Sequence, residues 1–167
     1  MNLWNEYFSN SNSGYVVYNS FGSFGILKWL LEKKGVRLLE LGGGGGSATS
    51  LLIERLRDAD MLNKIDEYIF SDISPVFLRL GNRVIMSKVP DNFKYELKKI
   101  DFNKPLTEQG INENDIDVVY GVNALHAAKD LFETLKEILR IIKPGGMFIV
   151  SECVRANNTD VLLQELI

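Results

Sequence analysis

Apolar residues fall along the 167-residue chain in two alternating rhythms. Short unbroken apolar runs read as strands buried on both faces. Longer segments with apolar residues three and four apart read as helices with one buried side. Phe24, Leu27, Leu30 and Leu31 predict a helix over Ser23 to Lys34, stopped by Gly35. Val36, Leu38, Leu39 and Leu41 predict a first strand, and Gly42 to Gly46 follow it. Ser47 opens a helix with Leu51, Leu52 and Leu56 on one side, and a charged link runs from Arg57 to Asp66. Tyr68, Ile69 and Phe70 predict a second strand ending at Asp72. Ser74-Pro75 then starts a helix, with a capping hydroxyl before a proline at the first helical position. Its apolar face is Phe77, Leu80, Val84 and Ile85. Phe93 to Ile100 predict a third strand with Asp101-Phe102 at its end, and Asn103 to Asp115 a polar connection with one short helix. Ile116, Val118, Val119 and Tyr120 predict a fourth strand ending at Gly121, and a loop follows to Lys129. Asp130 and Glu133 form a capping-box-like pair before Leu131, Leu135, Ile138, Leu139 and Ile142. Lys143-Pro144-Gly145-Gly146 ends that helix. A fifth strand covers Met147 to Val150, up to Glu152, and a last helix Asn158 to Ile167. Met1 to Asn19, with Trp4, Tyr7, Phe8, Tyr15 and Tyr18, has no clean period and reads as a surface-packed leader or part of a lid, or equally as a poorly ordered terminus.

Strands alternating with helices imply an α/β fold, a parallel sheet with helices on both faces. Such sheets bind ligands beyond the carboxyl ends of their strands, where the strand order reverses. Glu40, Asp72, Asp101, Asn123 with His126, and Glu152 stand at those ends. Chance explains one or two polar groups on such a rim, and poorly explains a contribution from every strand.

The five glycines sit between the first strand and a helix. Glycine admits backbone angles closed to other residues and lets a ligand approach the main chain. The following helix directs its free N–H groups to the same point, which suits a nucleotide or nucleoside. Two other readings stand beside this one: a flexible linker, and the related glycine turn of dinucleotide enzymes.

Hydrophobic residues at 46% and charged residues at 25% fit a soluble globular domain. A net charge of −3 argues against an electrostatic nucleic-acid or membrane binder. The one cysteine, Cys153, excludes an internal disulfide, fits a reducing cytoplasm, and reads as a small buried apolar residue. No apolar run reaches the ~20 residues of a membrane span, and the N-terminal stretch shows no basic region followed by an apolar one, so no signal peptide is visible.

Glu40-Leu41-Gly42-Gly43-Gly44-Gly45-Gly46 fits the ExGxGxG motif of class I methyltransferases that use S-adenosylmethionine. Three further stretches, YIFSDISPVFL from Tyr68, GVNALHAAKD from Gly121 and LKEILRIIKPGGMFIVSE from Leu135, resemble the methyltransferase domains of polyketide synthases. The resemblance implies a Rossmann-like, doubly wound, mostly parallel sheet of order 3-2-1-4-5. It also implies roles at matching positions. Gly42, Gly44 and Gly46 would pass under the methionine part of the cofactor, with Glu40 near its ammonium group. Asp72 would take the ribose hydroxyls, with Ile73 beside it. Asp101 and Phe102 would flank the adenine, and Asn123 would sit near the sulfonium. His126 would act as base, aided by Glu152, and no metal is implied.

The implied reaction methylates the α-carbon of a β-ketoacyl thioester on an acyl carrier protein and leaves S-adenosylhomocysteine. Oxygen methylation by the same histidine, a NAD-dependent oxidoreductase and a silent interaction module remain as alternatives. Members of the family continue past the fifth strand and carry a larger lid. A single domain is therefore expected, with residues 1–22 as a leader or lid remnant and 23–167 as a cofactor-binding core lacking the C-terminal strands. Neighbouring synthase domains, or a second copy of the chain over the fifth strand's edge, are the expected partners.

Overall fold

A computed structural model describes residues 15–152. The expected helix over Asn158 to Ile167, Cys153 and the first part of the leader lie outside the described residues. The described elements are α1 (Tyr15–Leu30), β1 (Val36–Glu40), α2 (Ser47–Asp58), β2 (Ile65–Asp72), α3 (Pro75–Met86), β3 (Tyr95–Lys99), β4 (Ile116–Val122), α4 (Leu131–Ile141) and β5 (Ile142–Ser151). Short 3-10 turns occupy Leu62–Lys64, Thr107–Gln109 and Leu125–Ala127.

The five strands form one sheet in the order β3-β2-β1-β4-β5, and every pair is parallel. Successive strand residues point to opposite faces, so the continuous apolar runs feed two cores. Leu38, Tyr68, Phe70, Val118 and Tyr120 join Leu52, Ile53 and Leu56 of α2, Ile26 and Leu30 of α1, and Ile85 of α3. Leu39, Ile69 and Val119 join Ile138 and Ile141 of α4, with Ile100, Leu106 and Ile111 from the β3–β4 connection. Helices therefore cover both faces, as the alternation requires. The strand order reverses between β1 and β4, which places the crevice at their carboxyl ends.

Several boundaries differ from the sequence expectation. The first helix spans Tyr15–Leu30 rather than Ser23 to Lys34. Its apolar residues encircle it instead of lining one side: Ile26 and Leu30 are buried while Phe21 and Phe24 are exposed. No stripe therefore marks its start. Gly25 lies inside this helix because a Cβ there would stand 3.0 Å from Ile149 of β5.

At the other end, Lys143 to Gly146 does not separate helix from strand. Ile142 already pairs with Ile116, and the register then jumps so that Val118 faces Met147. The Pro-Gly-Gly segment is a bulge within β5, with Gly145 at φ 79°. β4 likewise runs one residue past Gly121, to Val122.

Two capping expectations also change. Asp130 caps α4 by accepting from the Phe132 and Glu133 N–H groups, whereas the Glu133 carboxylate turns outward to Lys136 at 2.7 Å. Ser74 stands at the α3 N-cap without a side-chain capping bond. Asp72 instead accepts from the Ser74 N–H at 2.8 Å, just ahead of the first helical turn.

Candidate active site

The glycine turn is held from β2. Gly43 N–H donates to the Ser71 carbonyl at 2.9 Å, and Gly44 N–H donates to Asp72 Oδ2 at 3.0 Å. The turn needs glycine for two reasons. Gly42, Gly44 and Gly46 have φ of 66°, 53° and 83°, a region that other residues rarely adopt. Gly43 is required by space instead, since a Cβ there would lie 2.2 Å from the Phe70 ring. Over Gly44, among the described residues, an added Cβ would meet only the Gly42 carbonyl, at 4.0 Å. Above the turn α2 begins at Ser47, and its N-cap, Gly46, supplies no side-chain cap. An open floor, an uncapped helix end and the Asp72 carboxylate form a cradle of the kind a nucleoside needs.

Asp72 is 7% exposed and spends one lone pair of each oxygen on the backbone N–H groups of Gly44 and Ser74. Each oxygen keeps a second acceptor site, enough for a pair of ligand hydroxyls. Ile73 beside it is exposed. Asp101 Oδ1 accepts from the N–H and side-chain amide of Asn103, and the next residue, Phe102, packs near the would-be Cβ of Gly42, at 4.0 Å. Asn123 adopts φ 51°, and its N–H donates to the Ser151 carbonyl at 2.7 Å. That strained residue turns the chain out of β4 into the histidine loop.

The histidine loop packs directly on the glycine turn. Ala124 Cβ stands where a Gly42 side chain would begin, 2.6 Å from that position. Glu152, at the end of β5, organises the loop. Its Oε1 accepts from the N–H groups of Ala124 at 2.9 Å and Leu125 at 2.6 Å, and its Oε2 lies 2.8 Å from His126 Nδ1. The glutamate side chain is 19% exposed and the imidazole 58%. In the neutral ring this contact puts the proton on Nδ1, where it bonds to the carboxylate, and leaves the Nε2 lone pair free to accept a proton.

Glu40 stands apart from the rim. It is 2% exposed, and its Oε2 accepts from Thr49 Oγ1 at 2.6 Å and from the Tyr68 hydroxyl at 2.5 Å. The Tyr120 hydroxyl is 2.9 Å from that of Tyr68. Burial pushes the Glu40 carboxyl above its ordinary value, against the opposing pull of these hydroxyls. Burial likewise pushes both tyrosines well up, so they remain neutral donors. The folded state thus holds the Glu40 proton more tightly than the unfolded chain does. That advantage is complete below the unfolded carboxyl value and disappears as pH rises through the folded one. Glu40→Gln does not titrate. Its melting temperature should therefore gain on that of the unaltered chain as pH is raised from acid to neutral. A gap that moves the other way in thermal melts would contradict the assignment.

The sequence picked out Glu40, Gly42, Gly44, Gly46, Asp72, Ile73, Asp101, Phe102, Asn123, His126 and Glu152. The structure brings the glycines, Asp72, Phe102, Asn123, His126 and Glu152 to one lip of the sheet and puts the Glu40 carboxylate beneath it. Thr49, Tyr68, Phe70, Gly43 and Tyr120 were not singled out. Tyrosines at the inward-facing strand positions 68 and 120 were the available signal, because a buried tyrosine hydroxyl needs a partner.

Residues 39–148 match the family described as "Methyltransferase domain". Among curated proteins, the chain is 35% identical over 121 residues to the highly reducing polyketide synthase PKS2 of Leptosphaeria maculans. It is 34% identical over 118 residues to the fusarielin synthase FSL1 of Gibberella zeae. These matches cover 71% and 70% of this chain but only 5% and 4% of the synthases. Among solved structures, the DszA carbon methyltransferase superposes with a TM-score of 0.82 and 28% identity, over 100% of this chain and 43% of that one. The trans-methyltransferase CalH, in complex with SAH, gives a TM-score of 0.69 and 29% identity over 84% of this chain and 40% of that one. With the parallel sheet, the glycine turn and the acidic β2 terminus, these likenesses agree on one assignment: the chain belongs to the methyltransferase domain family, as a class I S-adenosylmethionine-dependent methyltransferase resembling the domains of polyketide synthases.

Proposed function

We propose that this domain methylates the α-carbon of a β-ketoacyl chain carried as a thioester on an acyl carrier protein. One observation carries the reading: an exposed imidazole, fixed through Nδ1 by a half-sequestered carboxylate, beside a glycine turn suited to a nucleoside. The likeness to a carbon methyltransferase and to polyketide synthases supports the acceptor class.

Gly42, Gly44 and Gly46 would carry the amino-acid end of the cofactor, Asp72 its ribose, and Ile73, Asp101 and Phe102 its base. Asn123 would sit close to the methionine part and the sulfonium. S-adenosylmethionine, when bound, supplies the electrophilic methyl group.

The chain's own part is positioning and proton removal. The α-hydrogen of a β-ketoacyl thioester is acidified by two flanking carbonyls. His126 Nε2 takes it, and the electrons of the broken C–H bond delocalise into those carbonyls. The imidazolium that forms is stabilised by Glu152, which already faces Nδ1. The two backbone N–H groups on Glu152 keep its carboxylate from swinging away as the proton arrives.

Incubation of the chain with S-adenosylmethionine and a carrier-bound β-ketoacyl substrate, followed by mass spectrometry, tests this. The reading expects a methyl group on the α-carbon. A methyl on oxygen, or an unmodified chain, would contradict it.

A further inference from the structure

The Glu40 network is an unusual feature of the core. One carboxylate and three hydroxyls lie in an otherwise apolar layer between the sheet and α2. The three strand residues point to the same side, since Glu40 is opposite Tyr120 in register and Tyr68 is opposite Leu38, and Thr49 meets them from α2. Such groups are costly to bury and are tolerated when mutually bonded. No cation pairs with Glu40 among the described residues; the charge that acts on it most is Asp72, which is also negative.

The network has a mechanical consequence at α2. A helix of this kind ordinarily fixes its first turn with a side-chain cap, and here Gly46 provides none. The first helical bond of the segment is Ser50 N–H to the Gly46 carbonyl at 2.8 Å. Thr49, in that first turn, could cap but instead turns inward to Glu40. The helix end is thus tied down from below, and its leading N–H groups are left facing the cradle. Tyr68 extends the tie to β2, the strand that also supplies Ser71 and Asp72 to the glycine turn. An anion under a helix N-terminus is favourable in its own right.

We propose that Thr49, Glu40 and Tyr68 are positioning residues, which set the N-terminus of α2 at its working distance from Asp72 without touching the ligand. This rests on the cofactor reading of the cradle. It differs from a direct contact between Glu40 and the ligand's ammonium group, because the carboxylate acts through Thr49 and what matters is its acceptor oxygen, not its charge.

Calorimetric titration with S-adenosylhomocysteine, at a temperature where each variant is fully folded by circular dichroism, tests the proposal. Thr49→Val keeps the shape and removes the tie. It should weaken binding about tenfold, the upper end of what one ordinary hydrogen bond contributes. Thr49→Ser should restore it. Glu40→Gln, which keeps an acceptor oxygen, should bind within about threefold of the unaltered chain, less than one such bond is worth. A purely structural role would lower the melting temperature of Thr49→Val and leave its affinity unchanged, and that result overturns the proposal. A loss of binding in Glu40→Gln with none in Thr49→Val overturns it in favour of direct charge contact. If the unaltered chain does not bind S-adenosylhomocysteine, the cofactor reading falls, and this proposal falls with it.

Discussion

Replacing His126 with alanine is expected to cut turnover about 10²–10⁴-fold, the usual contribution of a positioned general base. Affinity for S-adenosylhomocysteine should stay near that of the unaltered chain. The split follows from how the loop is held. Glu152 Oε1 keeps its bonds to the Ala124 and Leu125 N–H groups whether or not the imidazole is present. Ala124 therefore stays against Gly42, and the cradle keeps its shape. Glu152→Ala is a less informative variant, since it also strips an acceptor from two backbone donors, at a cost of about 1–3 kcal/mol for each buried donor left unpaired. Single-turnover kinetics with a carrier-bound substrate, beside a binding titration, checks the prediction. Unchanged turnover in His126→Ala would remove the base assignment.

Gly43→Ala is expected to damage both stability and cofactor binding. The new Cβ would lie 2.2 to 2.9 Å from three carbons of the Phe70 ring. Phe70 cannot retreat. Its ring is fully buried, and its tip already lies so near α3 that a Cβ at Gly81 would approach it to 2.3 Å. The ring is thus wedged between two glycines, one in the turn and one inside a helix. The turn must lift, which breaks the Gly43 bond to Ser71 and disturbs the Gly44 bond to Asp72. Overpacking of this kind typically costs about 1–3 kcal/mol. Thermal melts and calorimetry read the two effects. Phe70→Leu in the same chain should relieve part of both, since contacting residues combine non-additively. Gly43→Ala with full stability and affinity would contradict this account of the turn.

The wedge also shows what the sequence could and could not convey. The run Val36 to Ser47 announced a strand, a turn and a helix by local rules alone, and those rules hold. Asp72, His126 and Glu152 could be placed on one rim because strand ends are local and a parallel sheet aligns them. Which glycines matter for which reason was not local. The positive-φ glycines follow from the turn, but Gly43 is required by a ring 27 positions later in the chain. Glu40 looked like a rim residue because it ends a strand. Whether its carboxylate turned up to the ligand or down into the core depended on Thr49 and Tyr68, which no spacing rule connects to it. The start of α1 was hidden for a different reason. A helix apolar on all sides carries no period to read.

Every role proposed for the site depends on which ligand the glycine turn holds. Titration of the chain with S-adenosylhomocysteine and, separately, with NAD tests it most directly. Saturable heat with S-adenosylhomocysteine and none with NAD is the predicted result; binding of NAD alone would contradict it.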